Sequence, residues 1–185
     1  MLVALLLTLA SQTAVVTTVT APSTARASVE LLTALSAQNP ASNVDTSLTT
    51  WLGVRAGGVN TDQAGFFVGG DGALLVGVNS AGTGNINYTH FPALLEGRGL
   101  AGVRMRRGIV GLGGYGYGGA GIGGGLGTVA VFDTVDTRPF FTTTIRVGGG
   151  AETSMGPVML RIETGAGVRD LRLEIHATVA VGLRF

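Results

Sequence analysis

The sequence predicts an all-β fold: an antiparallel up-and-down transmembrane β-barrel of eight strands. Three observations carry this reading. First, Leu173, Ile175, Ala177, Val179, Val181, Leu183 and Phe185 alternate with Glu174, His176, Thr178, Ala180, Gly182 and Arg184. That strict period of two gives a long strand one oily face and one small, polar or charged face. Second, only 12% of the 185 residues are charged and the mean hydropathy is +0.44, whereas a soluble domain carries about twice that charged fraction. Beyond the N-terminus no run reaches the roughly 18 apolar residues of a membrane helix, so the hydrophobicity is dispersed as membrane strands disperse it. Third, the 32 glycines lie largely in strand-like context, where glycine is tolerated if a sheet must curl or a narrow lumen needs room.

Composition narrows the function classes. The net charge of +1 gives no reason to expect a nucleic-acid partner. With no cysteine, disulfides, cysteine-ligated zinc and thiol catalysis are out. All the basic residues are arginine.

Residues 2–10, LVALLLTLA, form a short apolar run followed by a Thr/Ser/Ala-rich stretch ending in Ala25-Arg26-Ala27. The pattern predicts a signal peptide over 1–27, although a basic n-region is missing. Residues 28–47 read as a short helix or lead-in, which Asn39-Pro40 would end. The barrel is expected over 48–185, with strands at 49–59, 64–78, 93–105, 109–117, 124–132, 140–152, 157–167 and 172–185. In the first of these, Leu52, Val54 and Ala56 share one face and Gly53, Arg55 and Gly57 the other. The sixth sets Phe141, Ile145 and Val147 against Arg146, Gly148, Gly150 and Glu152; the seventh sets Val158, Leu160 and Ile162 against Arg161 and Glu163. Charges therefore share a face with glycine, which suits the tight interior of an eight-stranded barrel. Arg55, Glu96, Arg98, Arg146, Glu152, Arg161, Glu163, Arg172 and Glu174 are the expected lumen charge network, since one such charge buried alone would be expensive. Trp51, Phe66, Phe132 and Phe141, with Phe67, Phe91, Phe140 and Phe185, fall near strand ends, as interfacial aromatic girdles do. This segmentation also puts Gly97 and Gly99 on the lipid face, and the longest connector, 79–92, on the periplasmic side, where turns are usually short.

The terminal strand HATVAVGLRF with its final Phe185, the run RVGGGAETSMGPVMLRIETGAG and the segment WLGVRAGG together resemble the small outer-membrane β-barrel family, the OmpA- and OmpX-like eight-stranded barrels of Gram-negative bacteria. The resemblance covers about residues 48–185. It implies an outer-membrane location reached through the periplasm, with periplasmic chaperones, the insertion machinery, outer-membrane lipid and lipopolysaccharide as partners. It also implies that Leu173, Ile175, Val179, Val181, Leu183 and Phe185 form the C-terminal signal that the insertion machinery reads. Members of the family do not share one activity.

Candidate chemistry is sparse. Gly111-Leu112-Gly113-Gly114-Tyr115-Gly116 spells a dinucleotide-type motif, but no helix pattern follows to hold a phosphate. His176 and Thr178 share a strand face, loosely similar to the His/Ser sites of lipid-modifying barrels, yet alternation turns that face to the lumen; His90 precedes Phe91-Pro92. Both histidines read as structural, and no cofactor or metal cluster stands out. The Asn87-Tyr88-Thr89 sequon carries no meaning in a bacterial outer membrane. The preferred reading is a non-enzymatic outer-membrane barrel with a side-chain-filled lumen and a structural or surface-interaction role. Its short connectors argue against a large adhesive surface, and a peptidoglycan-binding domain is not expected after the barrel. A lipid A- or phospholipid-modifying barrel enzyme is the first alternative; a secreted glycine-rich β-protein is the second.

Overall fold

The computed structural model describes residues 25–38, 47–61, 63–83, 86–131 and 134–185, with the side chains of 80–88 left out. Its strands are β1 (Arg26–Gln38), β2 (Ser47–Val59), β3 (Gly65–Thr83), β4 (Ile86–Arg107), β5 (Val110–Val131), β6 (Thr134–Met155), β7 (Val158–Arg169) and β8 (Arg172–Arg184). Each pairs antiparallel with its neighbours in sequence, and β1 closes on β8 from Ser28↔Arg184 to Gln38↔Glu174, so the sheet is a closed eight-stranded barrel. Closure leaves no edge along the paired length, the condition for a sheet to sit in hydrocarbon.

The expected strand number is reached by a different segmentation. Residues 28–38 are not a helix or lead-in; they belong to β1. Val29, Leu31 and Leu35 point outward and are half or more exposed, while Ser28, Glu30, Ser36 and Gln38 are buried inside. Leu32 also points inward, and the resulting Leu31-Leu32…Leu35 spacing imitates a helical stripe. Conversely, the described parts of the expected segments 109–117 and 124–132 fall on one strand, β5 (Val110–Val131), which runs through Gly118–Gly123 without a turn. Glycine there answers crowding: a Cβ on Gly119 would meet Arg98 Cγ at 2.6 Å, and one on Gly121 would meet Thr144 Cγ2 at 3.0 Å. Gly97 and Gly99 do lie on the outer wall, with nothing within 4 Å of where a Cβ would be.

With β1 restored and β5 whole, the stretch 79–92 ceases to be a connector. It is the far end of the β3–β4 hairpin, paired from Asn79↔His90 to Thr83↔Ile86. β2, β4 and β6 finish, and β3, β5 and β7 start, at the end where β1 starts and β8 finishes, the terminal end, with turns at 108–109 and 156–157. β1, β3, β5 and β7 finish, and β2, β4, β6 and β8 start, at the other end, the mouth, where residues 170–171 form the β7–β8 turn. The strands are unequal: β1, β2, β7 and β8 have 12 or 13 residues, β3 has 19, and β4, β5 and β6 have 22 each. Roughly ten residues span a membrane, so the longer strands overshoot. Pairing of β6 with β7 starts at Thr144↔Arg169 while pairing with β5 continues to Val131↔Thr134, so residues 134–143 run on past the rim.

The β7–β8 turn anchors that overshoot. Asp170 accepts from the Thr143 N–H and the Thr142 hydroxyl at 2.8 Å each, and its own N–H donates to the Thr143 carbonyl at 3.0 Å. Both turn residues adopt the left-handed region, Asp170 at φ 51° and Leu171 at φ 64°. Leu171 is 98% exposed, so it carries the steric cost of that backbone with little packing in return. Leu171→Gly is expected to stabilise the barrel by about 0.5–1 kcal/mol, the left-handed penalty less the extra freedom glycine has when unfolded. The midpoint of urea unfolding in lipid vesicles checks this, and no rise would contradict it.

Candidate functional site

The lumen is built by the inward parity of each strand. A carboxylate in mid-barrel, Glu163 of β7, ties together three other strands. Arg55 of β2 donates to it at 3.0 and 2.9 Å, Arg98 of β4 at 2.9 and 3.1 Å, and the Tyr115 hydroxyl of β5 at 2.6 Å. Arg98 also makes a two-pronged contact with Asp71 of β3, 2.8 Å on each oxygen. Glu30 of β1 accepts from Arg161 at 2.7 Å and from Arg55 at 3.3 Å. Toward the terminal end, Glu152 of β6 pairs with Arg104, with Arg161 at 3.3 Å and with Arg184 at 3.1 Å. Toward the mouth, Arg146 bridges Glu96 at 2.7 Å and Glu174 at 2.9 Å, while Arg169 lies 3.4 Å from Glu174. Arg169 also donates to Thr49 at 3.0 Å and Gln38 at 3.1 Å.

Many of these bonds cross the barrel, joining β2 to β7 and β4 to β7, strands that are not neighbours. The side chains of Glu163, Glu174 and Glu30 are no more than 1% exposed. In that setting every charge needs partners, and bidentate guanidinium–carboxylate geometry supplies them. Guanidiniums also lie over rings, Arg98 over Tyr117 and Arg104 over Phe67, each 4.5 Å from the centroid. At the mouth a cavity of about 50 Å³, lined by Gln38, Thr49, His90, Arg169 and Asp170 among others, has room for a few waters.

The outer wall is the reverse. Leu31, Leu52, Leu74, Leu95, Ile122, Ile145, Ile162 and Val181, one from each strand, are each more than half exposed. Leu173, Ile175, Val179, Val181, Leu183 and Phe185 form a continuous outer column on β8, ending at Phe185 next to it.

Of the sequence-named lumen charges, Arg55, Glu96, Arg98, Arg146, Glu152, Arg161, Glu163 and Glu174 lie together inside. Arg172 does not: it is exposed beside the β7–β8 turn, where the chain has not yet entered the wall. Glu30, Arg104, Arg169 and Arg184 are also inside, as is the side chain of Asp71, and these were missed. Alternation carried to the ends of β4 and β8 would have found Arg104 and Arg184. Glu30 was hidden by the helical reading of its segment, and Asp71 by β3, which has apolar residues on both faces (Phe67 and Leu75 inward, Phe66 and Leu74 outward).

Among the girdle aromatics, Phe66, Phe91, Phe141 and Phe185 are exposed on the outer wall. Trp51 is a correction. It is fully buried in the lumen, where its indole N–H donates to Ser36 at 2.9 Å, because it shares the parity of Arg55. Phe67 is likewise internal, and Phe132 lies outside the described residues. His176 and Thr178 are both buried, and His176 Nε2 is 2.6 Å from the Tyr117 hydroxyl. His90 packs against Phe140 at the mouth, ring centroids 5.2 Å apart. The run 111–116 is part of strand β5, not a phosphate loop, and the described residues hold no group of three or more potential metal ligands.

Above the rim, β6 has an open edge. Thr143 turns its N–H and carbonyl toward Asp170, and these directions alternate along a strand. Phe141, Pro139, Thr137 and Val135 therefore face the unpaired side, and Pro139 has no N–H to offer there. Residues 134–139 are exposed on both faces, with Arg138 paired to Asp136 at 2.7 Å.

No protein-family model matches the chain, and no curated protein does. Solved structures do. The chain is similar to Ail, the attachment invasion locus protein of Yersinia pestis, at 16% identity and TM-score 0.52, over 86% of this chain and 98% of that one. The same protein in complex with the heparin analogue sucrose octasulfate aligns at 14% identity and TM-score 0.52, covering 87% of this chain and 99% of that one. The N-terminal β-barrel domain of Pseudomonas aeruginosa OprF aligns at 15% identity and TM-score 0.42, over 85% and 97%. The chain has the fold of a small eight-stranded outer-membrane β-barrel.

Proposed function

We propose that this protein is a non-enzymatic barrel of the bacterial outer membrane whose lumen is closed to diffusion by its ion pairs, and which meets partners outside the cell through the projecting part of β3–β6. The observation that carries the reading is the inversion of the ordinary soluble pattern: oily side chains coat the wall while arginines and carboxylates fill the centre. Water cannot be the solvent for such a wall, and hydrocarbon can. The described turns at 108–109, 156–157 and 170–171 are short, but the adhesive surface need not come from loops. The 22-residue strands lift a sheet above the rim, in a fold shared with a protein named for attachment.

Export is part of the proposal. A leader ending at Ala25, after the small-x-small Ser23-Thr24-Ala25, leaves β1 whole, whereas a cut after Ala27 would remove Arg26 and Ala27, which pair with Val59 and Gly58. The N-terminal sequence of the mature protein checks that point. The C-terminal column ending in Phe185 is proposed as the signal for outer-membrane insertion, with periplasmic chaperones escorting the chain.

The test is fractionation of cells expressing the full chain, followed by gel mobility of the detergent-extracted protein before and after boiling. Recovery in the outer-membrane fraction with a heat-dependent shift is expected. Recovery in culture supernatant without detergent would overturn the membrane reading. A change in lipid A or phospholipid masses between cells with and without the protein would overturn the non-enzymatic one.

A further inference from the structure

We propose that a groove on the outer wall, crossing β6, β7, β8, β1 and β2, holds one fatty-acyl chain of an outer-leaflet lipid. The inference deepens the membrane reading above and rests on it, with the mouth facing the cell exterior.

The groove has a volume of about 670 Å³, within the range of small-molecule sites. Its floor is Ala37 of β1, Thr164 and Ala166 of β7 and Ala177 of β8, and it ends against Val147 of β6 and Leu48 of β2. Val147, Ala166, Ile175, Ala37 and Leu48 form one rung across the five strands, and the next rung sets Thr164 opposite Ala177. Four inter-strand steps give a length of roughly 19 Å, against roughly 15 Å for the hydrocarbon of one leaflet. Barrel strands tilt by roughly 40°, so the groove runs obliquely down the wall. Along the strands it is closed by larger outward side chains, Val168 and Leu173 toward the mouth and Ile162 and Val179 toward the terminal end. Ala166 and Ile175 lie roughly 13 Å along their strands from the 170–171 turn, which sets the groove in the leaflet nearer the mouth.

The depression is not demanded by the barrel itself. Ala166 and Ala177 are exposed, so larger side chains would fit there, and alanine is a poor strand former. The floor is also stiff. Behind it a Cβ on the inward Gly165 would come within 2.8 Å of both the Tyr117 hydroxyl and His176 Cε1. Those two side chains share a 2.6 Å hydrogen bond, so a fixed pair backs the wall and the groove is preformed. Apart from Thr164, and His176 whose ring is held in the lumen, every lining residue is apolar or glycine. The groove is continuous with the exposed apolar wall at Ile162 and Val179. In hydrocarbon, attraction comes from close van der Waals contact. A flexible chain makes that contact along a narrow groove, whereas the rigid wall of a second copy would bridge its flanks. Another outer groove, of about 410 Å³, is confined to β4 and β5, too short a path to seat a chain along its length.

The experiment folds the full chain into phosphatidylcholine nanodiscs and reads retained lipid by native mass spectrometry as collisional activation is raised. Wild type is expected to keep one phosphatidylcholine after the surrounding lipids have left. Ala166→Phe/Ala177→Phe fills the floor and should lower that retained fraction about tenfold, the effect of losing on the order of ten close carbon contacts. Ala101→Phe, on the outer face of β4, should leave it unchanged, and so should Arg172→Gln beside the β7–β8 turn. An unchanged fraction in the double variant, or an equal fall with Ala101→Phe, would overturn the proposal. An equal fall with Arg172→Gln would assign the retention to a headgroup and overturn it too. So would a wild-type dimer that the double variant abolishes, since the occupant would then be a second copy. Gel mobility before and after boiling is read on each sample. A folded barrel that retains no lipid defeats this inference alone, whereas a wild-type chain with no heat-dependent shift defeats the membrane reading beneath it. Should the double variant not fold, the single Ala177→Phe is read in its place, with the same direction expected.

Discussion

Glu163→Ala is expected to be the most damaging single substitution in the lumen, costing about 3–5 kcal/mol. The carboxylate accepts from Arg55, Arg98 and Tyr115. Its removal leaves two desolvated guanidiniums facing each other with one fewer acceptor, and an orphaned phenol. The loss comes mainly from stranding those partners rather than from the intrinsic worth of the pairs. Glu163→Gln keeps the shape and an acceptor oxygen for Tyr115 or one arginine, so it should cost less. Trp51, the only tryptophan and buried in the same lumen, gives the fluorescence signal for urea unfolding in vesicles. The same alanine variant should pass small ions across a planar bilayer that the wild type blocks. A loss below about 1 kcal/mol, the scale of an exposed pair, would mean that these charges are solvated and the centre is not dry.

The second large effect is on the outside. Val179 lies mid-way along the β8 column, paired with Ile162 and Thr33 on the same wall, and Val179→Arg is expected to cost about 2–4 kcal/mol of folding stability in bilayers. On a water-facing strand the same exposed substitution would fall within about 0.5 kcal/mol. The two outcomes do not overlap, so urea titration of this one variant in vesicles discriminates lipid from water as the barrel's solvent. A near-neutral result would remove the membrane from every functional statement made for this chain.

What could be read from the sequence depended on how cleanly each strand separates its faces. On β6, β7 and β8 the charges and, Gly149 apart, the glycines keep one parity and the branched apolar residues the other, and there the expected faces and most of the lumen network are those of the structure. On β1 an inward Leu32 broke the alternation, and the strand was taken for a helix or lead-in. On β5 the glycines that admit Arg98 and Thr144 were read as turn punctuation, so one strand became two. The two errors offset each other in number, but they displaced the hairpins and turned the β3–β4 hairpin end into an improbable periplasmic loop. Trp51 illustrates a different conflict. Its position near a strand end suggested an interface, while its parity with Arg55 already placed it inside. The height of the projecting sheet could not be read at all, because strand length beyond the membrane leaves no mark in the alternation itself.

On the outer-membrane reading proposed above, Pro139 has a consequence for how the cell surface would tolerate this molecule. A stranger's extended segment approaching β6 would meet a gap in the donor row two residues above Phe141, then the paired Asp136 and Arg138 beyond it. Such gaps and charges discourage runaway zippering of one copy onto the next. The overshoot can therefore stand in crowded surroundings without seeding fibres, and a visitor must engage the broad flanks of the sheet instead of extending it.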